Sequence, residues 1–154
     1  MEVRNLMTEN PACCTPDTDL QEVARMMEEN DCGCIPVVEE EGSKKLVGVV
    51  TDRDITLRTV AQGKNPLEMT AADCMSSPVA TVTSGASVAD CCKVMEDNQV
   101  RRVPVVDESG DCCGMVAQAD LARHVDEQET GGVVQEVSQP SETASGASHK
   151  DGCC

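Results

Sequence analysis

The sequence predicts an α/β (α+β) fold of two β-α-β-β-α repeats packed about a pseudo-twofold axis, and three observations carry that expectation. The first is repetition: Met7 through Val38 matches Met75 through Val106 at a constant offset of 68, apart from a slip at Pro11 and Pro78. Leu20, Met27, Asn30, Pro36, Val37 and Val38 thereby face Val88, Met95, Asn98, Pro104, Val105 and Val106. The second is a junction, GVVTDRDI from Gly48, that returns as GMVAQADL from Gly114. In both copies an apolar run ends at a small or hydroxyl residue, with a carboxylate three positions later. The third is size: a unit of roughly 60 residues buries too little surface to be stable alone, so two copies should share an interface.

Each repeat begins with a short strand, Ala12 to Cys14 and Val79 to Val82, followed by a polar turn. Apolar residues at helical spacing then predict a helix through Leu20, Val23, Ala24 and Met27, and another through Val88, Cys91, Cys92 and Met95. Thr18 with Gln21 fits a capping box at the start of the first. Hairpins follow, Ile35–Val38 with Leu46–Val50 and Val103–Val106 with Cys112–Val116, and second helices leave at Asp52 and Gln118. The predicted division is repeat 1 over 3–62, a linker over 63–72 broken by Gly63 and Pro66, repeat 2 over 73–125, and a disordered acidic, Ser- and Gly-rich tail over 126–154.

Composition excludes several function classes. A net charge of -16 opposes nonspecific nucleic-acid binding, which relies on clustered Lys and Arg. With no Phe, Tyr or Trp, no base can stack on an aromatic platform, and Val, Ile, Leu, Met, Ala and Cys must fill the core. No apolar run is long enough to cross a bilayer, and the start has no secretory signal pattern, so a cytoplasmic location is expected. There the eleven cysteines are expected to be free thiols. His124 and His149 stand beside no plausible nucleophile, and no phosphate-binding glycine loop occurs, so no catalytic residue is assigned and the protein is expected not to be an enzyme.

The repeat order, the IPVV and VPVV strands and the GVVTDRDI junction together resemble a tandem pair of cystathionine beta-synthase (CBS) domains, the Bateman module, over about Val3 to Val125. The resemblance implies a regulatory module, stand-alone here, that binds and senses adenine nucleotides such as AMP, ADP or ATP, or a relative such as S-adenosylmethionine. It implies a homodimer and an unidentified protein target, while charge, hydropathy and cysteine spacing lead to an expectation of no nucleic-acid, membrane or metal partner. It places one ligand cleft at Val50, Thr51, Arg53 and Asp54, completed from the other repeat by Val79, Ala80 and Thr81 and by Arg101 and Arg102. Asp54 would accept from the ribose hydroxyls, Thr51 would donate to phosphate, and Arg102 would be the phosphate fork. The chemistry is sound independently: a carboxylate suits a vicinal diol, and free amides at a helix start attract an anion.

A second, weaker cleft would combine Val116 and Asp120 with Ala12, Cys34 and Ile35. Ala117 replaces the hydroxyl there, and Cys34 stands where the first cleft has Arg102. Three plainer readings remain open. Thr51 with Asp54 is also an ordinary helix cap; Arg101 and Arg102 could be solvated; and the scaffold could be a structural dimer or a cysteine-based redox or metal switch. No C-x-x-C occurs, and the strand doublets Cys13/Cys14 and Cys112/Cys113 point neighbours to opposite faces. Cys32 and Cys34 are the thiol candidates, while Cys153 and Cys154 sit in the tail, reactive or lipid-carrying.

Overall fold

The computed structural model describes residues 1–124 and 127–140. In chain order the regular elements are β1 (Thr8–Glu9), α1 (Leu20–Glu29), β2 (Cys34–Val38), β3 (Leu46–Thr51), α2 (Asp52–Arg58), α3 (Ala71–Cys74), β4 (Val82–Thr83), α4 (Val88–Asn98), β5 (Arg102–Val106), β6 (Cys112–Ala117), α5 (Gln118–His124) and α6 (Glu127–Val137). The hairpins pair antiparallel, β2 with β3 and β5 with β6, and each carries a bulge at the same place, between Val37 and Val38 and between Val105 and Val106. Cys14 bridges Val37 in parallel just as Val82 pairs with Val105 in parallel, so the 68-residue offset holds in space as well as in sequence.

The two repeats exchange their leading segments. Val3, Arg4 and Val88 donate backbone hydrogen bonds to Ala86, Ser84 and Met1, at 2.9, 3.0 and 3.1 Å. Sixty-eight positions on, Ala71, Ala72 and Leu20 donate to Thr18, Pro16 and Met69, at 2.8, 2.9 and 3.0 Å. Likewise β1 pairs with β6 of the second repeat, whereas Ser76 pairs with Val49 on β3 of the first. This reciprocity is the pseudo-twofold relation expressed in the backbone. Gly48 and Gly114 permit it: a Cβ at Gly48 would lie 3.1 Å from the Ser76 carbonyl oxygen, and one at Gly114 3.2 Å from that of Thr8.

Two cores result. One gathers Leu20, Val23 and Met27 of α1 with Ile35, Val37, Val50, Ala71 and Cys74. The other gathers Val88, Cys91, Cys92 and Met95 of α4 with Val103, Val105, Val116 and Leu121, and also takes in Val3 and Leu6 from the start of the chain. Small aliphatic and thiol side chains fill both, as the lack of aromatic residues requires.

Three expectations are corrected. Ala71, inside the expected linker, is fully buried in the first core, because the segment before α3 docks on α1. Thr18 does not cap α1: Asp19 is the cap residue, without a side-chain bond, and the Thr18 hydroxyl accepts from the Thr15 amide at 3.0 Å. The tail is not irregular from residue 126, since α6 packs against α4 and α5. Val133 and Val137, one helical turn apart, lie buried in the second core. The rest of the expected tail, 141–154 with His149, Cys153 and Cys154, lies outside the described residues.

Candidate functional site

At the first junction β3 runs directly into α2, and the carboxylate and hydroxyl serve each other. Thr51 Oγ1 accepts from the Asp54 amide at 3.0 Å, and Asp54 Oδ2 accepts from the Thr51 amide at 3.1 Å, a complete capping box. The next two amides are also engaged, Asp52 donating to the Gly33 carbonyl at 3.0 Å and Arg53 to Asp52 Oδ1 at 2.8 Å. The expected free amides for an anion are therefore absent from residues 51 to 54. Chemistry left over at this junction is the Thr51 O–H as a donor and Asp54 Oδ1 as an acceptor, both on half-buried side chains.

The second junction repeats half of this. Asp120 Oδ2 accepts from the Ala117 amide at 2.8 Å, and Gln118 donates to the Arg101 carbonyl at 2.9 Å, the counterpart of the Asp52 bond to Gly33. Ala117 offers no hydroxyl in return.

Arg102, at the start of β5, crosses to the first repeat. A Cβ at Gly33 would lie 3.0 Å from Arg102 Nη2 and 2.8 Å from Asp52 Oδ2, so the guanidinium and that carboxylate both sit over the glycine. Burial pushes the Cys34 thiol up to about 12; Arg102 opposes the shift, and Cys32, Asp54 and Asp52 reinforce it. Cys34, expected at the Asp120 cleft, thus lies among the groups of the first junction and pairs with Thr51 across β2 and β3. So protonated and so buried a thiol is a poor sensor. Cys32 is exposed, its thiol donating to the Cys34 carbonyl at 3.7 Å.

The remaining assigned residues divide by burial. Val50, Val116 and Ile35 are 0%, 0% and 1% exposed, so their side chains serve the cores and only their backbone can meet a ligand. Arg53 and Arg101 are exposed. Val79, Ala80 and Thr81 are half-buried and lead from Ser76, paired on β3, to β4 in the other sheet. Ala12 occupies the equivalent half-buried crossing between β1 and Cys14. Sequence reasoning gave Gly33 no place at the first junction. Its only signal was its place directly before β2, where a missing side chain leaves room for Arg102.

Among the described residues no group of three His, Cys, Asp or Glu side chains gathers as a metal centre, and no helix is long and apolar enough to cross a membrane.

The CBS domain profile matches residues 3–59 and 71–127. Hypoxic response protein 1 of Mycobacterium tuberculosis is 34% identical over 142 residues, spanning 92% of this chain and 97% of that protein. Its crystal structure, which contains two coordinated zinc ions, superposes with a TM-score of 0.72 at 34% identity, covering 82% of this chain and 100% of that one. The CBS domain protein PAE2072 of Pyrobaculum aerophilum, complexed with AMP, superposes with a TM-score of 0.74 at 26% identity, covering 88% and 99%. The CBS domain pair of MJ0100, complexed with 5'-methylthioadenosine and S-adenosyl-L-methionine, gives 0.71 at 27% identity, covering 80% and 98%. Two profile matches, in register with the exchanged segments and doubled junctions, make this chain a member of the CBS domain family, a tandem CBS pair.

Proposed function

We propose that the chain is a nonenzymatic sensor of an adenosine-containing ligand, with its competent cleft at Thr51 and Asp54 and an impaired one at Asp120. The observation that carries this reading is Arg102, brought from the second repeat to Gly33 beside the first junction, its guanidinium without a hydrogen bond or ion pair to any described residue. A guanidinium left unpaired is suited to a phosphate or carboxylate fork. Asp54 Oδ1 takes a ribose hydroxyl, the Thr51 hydroxyl donates to phosphate, and Arg53 and Arg101 add outer charge. AMP in one relative and S-adenosyl-L-methionine in another support the adenosyl class. Ligand binding then acts on an unidentified target only so far as it favours one packing of the repeats over another.

A second copy completes the assembly in this reading. Helix α6 covers α4 and α5, whereas on the first repeat Leu57 in the last turn of α2 and Val60 in the turn after it are 45% and 67% exposed. That uncovered apolar face suits a homodimer contact.

Calorimetric titration of AMP, ATP and S-adenosylmethionine into wild type, Asp54→Asn and Arg102→Ala tests the site. Wild type should bind one of them below millimolar, and each variant roughly tenfold or more weakly, the scale of a hydrogen bond to a charged group. Absence of binding by wild type would end the sensor reading.

A further inference from the structure

Two opposite charges meet over Gly33 without pairing. The Asp52 amide donates to the Gly33 carbonyl at 3.0 Å, and Asp52 Oδ1 accepts from the Arg53 amide at 2.8 Å. Backbone bonds therefore hold one side of this carboxylate, while Oδ2 stands 2.8 Å from the place a Cβ on Gly33 would take. Arg102 reaches the same point from the second repeat, its Nη2 at 3.0 Å. Among the described residues neither side chain has an ion pair. The counterpart junction is built differently: Gln118 holds the position of Asp52, Arg101 that of Gly33, and Cys34 matches Arg102.

The charge balance there opposes a polyphosphate. Asp52 and Asp54 set two carboxylates beside the guanidinium of Arg102, and the amides of residues 51 to 54 are all engaged. Arg53 and Arg101 are exposed, and the chain as a whole carries -16. Each phosphate added to a ligand brings more negative charge against Asp52 and that field. We propose that Asp52 and Arg102 read the ammonium and the carboxylate of an amino-acid tail, so that the first cleft prefers an adenosine ligand ending in a zwitterion over an adenosine polyphosphate. The ammonium donates to Asp52 Oδ2, and the guanidinium donates to the carboxylate. An α-amino acid carries both charges on one carbon, which suits two opposite charges facing each other across one glycine. Asp52 is then the specificity-determining residue, and Asp54 remains the ribose acceptor. This inference rests on the first junction being an adenosyl cleft and adds which tail that cleft takes.

The test is calorimetry of the full-length chain with four probes, in EDTA so that no metal bridges ATP to Asp52. S-adenosylhomocysteine carries the tail on an uncharged sulfur, 5'-methylthioadenosine lacks it, and AMP and ATP carry phosphate instead. Wild type should bind S-adenosylhomocysteine about tenfold more tightly than 5'-methylthioadenosine, the scale of a hydrogen bond to a charged group, and more tightly than ATP. Asp52→Asn keeps an acceptor for the Arg53 amide, so the fold is retained. It should weaken S-adenosylhomocysteine about tenfold, leave 5'-methylthioadenosine unchanged and tighten ATP several-fold. A shift of S-adenosylhomocysteine, AMP and ATP all in one direction overturns the proposal, because Asp52 would then act only by neutralising Arg102. Tighter binding of ATP than of S-adenosylhomocysteine by wild type overturns it as well. Binding of AMP or ATP with no response to Asp52→Asn discards this proposal and retains the adenosyl cleft, whereas binding of none of the four ends both.

Discussion

Arg102 of the second repeat lies over Gly33 of the first, so close that a Cβ on Gly33 would come within 3.0 Å of its Nη2. Asp52 Oδ2 would be 2.8 Å from that Cβ. Both neighbours are ends of flexible side chains, so Gly33→Ala can be accommodated by moving them. Its expected effect is several-fold weaker ligand binding with little change in the urea midpoint, whereas equal loss of both would show Gly33 to be purely a packing residue.

Gly48 and Gly114 should behave differently, because their close neighbours include backbone. Alanine at Gly48 would stand 3.1 Å from the Ser76 carbonyl oxygen, and at Gly114 3.2 Å from that of Thr8. Strand pairing fixes both oxygens, so each substitution should cost about 1 to 3 kcal/mol by overpacking. Urea denaturation of the single variants measures it.

The unequal junctions suggest a repair. Thr51→Ala removes half of a capping box and should cost about 1 kcal/mol. Ala117→Thr supplies the missing half to the Asp120 amide and should stabilise by about 0.5 to 1 kcal/mol. If adenosyl ligands use that hydroxyl, Ala117→Thr should also increase binding stoichiometry in calorimetry.

Burial pushes the thiols of Cys14, Cys34 and Cys91 up from 9.0 to about 11, 12 and 12. Above pH 9 the unfolded chain releases these protons while the folded chain keeps them, so stability falls as pH rises from 9 toward 12. Well below pH 9, where both states hold these protons, the groups contribute no slope. Urea midpoints at pH 8, 9 and 10 should decline slightly over the first interval and steeply over the second, and Cys91→Ala should reduce that decline.

Helix α6 is part of the second domain's core rather than an appendage. Val133 is fully buried beside Cys91, Met95 and Leu121, so Val133→Ala should cost about 1 to 3 kcal/mol. A chain ending at residue 124 should lose more and expose apolar surface, seen as dye binding and a lower thermal midpoint.

By itself the sequence determined the doubled architecture, the two long helices, the two hairpins and the helices that leave them. Helical spacing from Leu20 and Val88, the Pro-Val-Val strands and the GVVTDRDI junction are local patterns, and local backbone geometry answers to them. It also determined the carboxylates Asp54 and Asp120, and the missing hydroxyl at Ala117. Only the tertiary structure decided which surfaces meet. Exchange of the leading segments took Ala71 out of a linker and into a core. It also put Arg102 beside Gly33 and Cys34 in the groups of the first junction. Helix α6 escaped detection because Val133 and Val137 give only one turn of apolar spacing, preceded by Gly131 and Gly132, and become meaningful only where α4 and α5 offer an uncovered face. Such contacts depend on how two nearly equal halves pack. That energy is summed over many side chains distant in sequence, and no short motif records it.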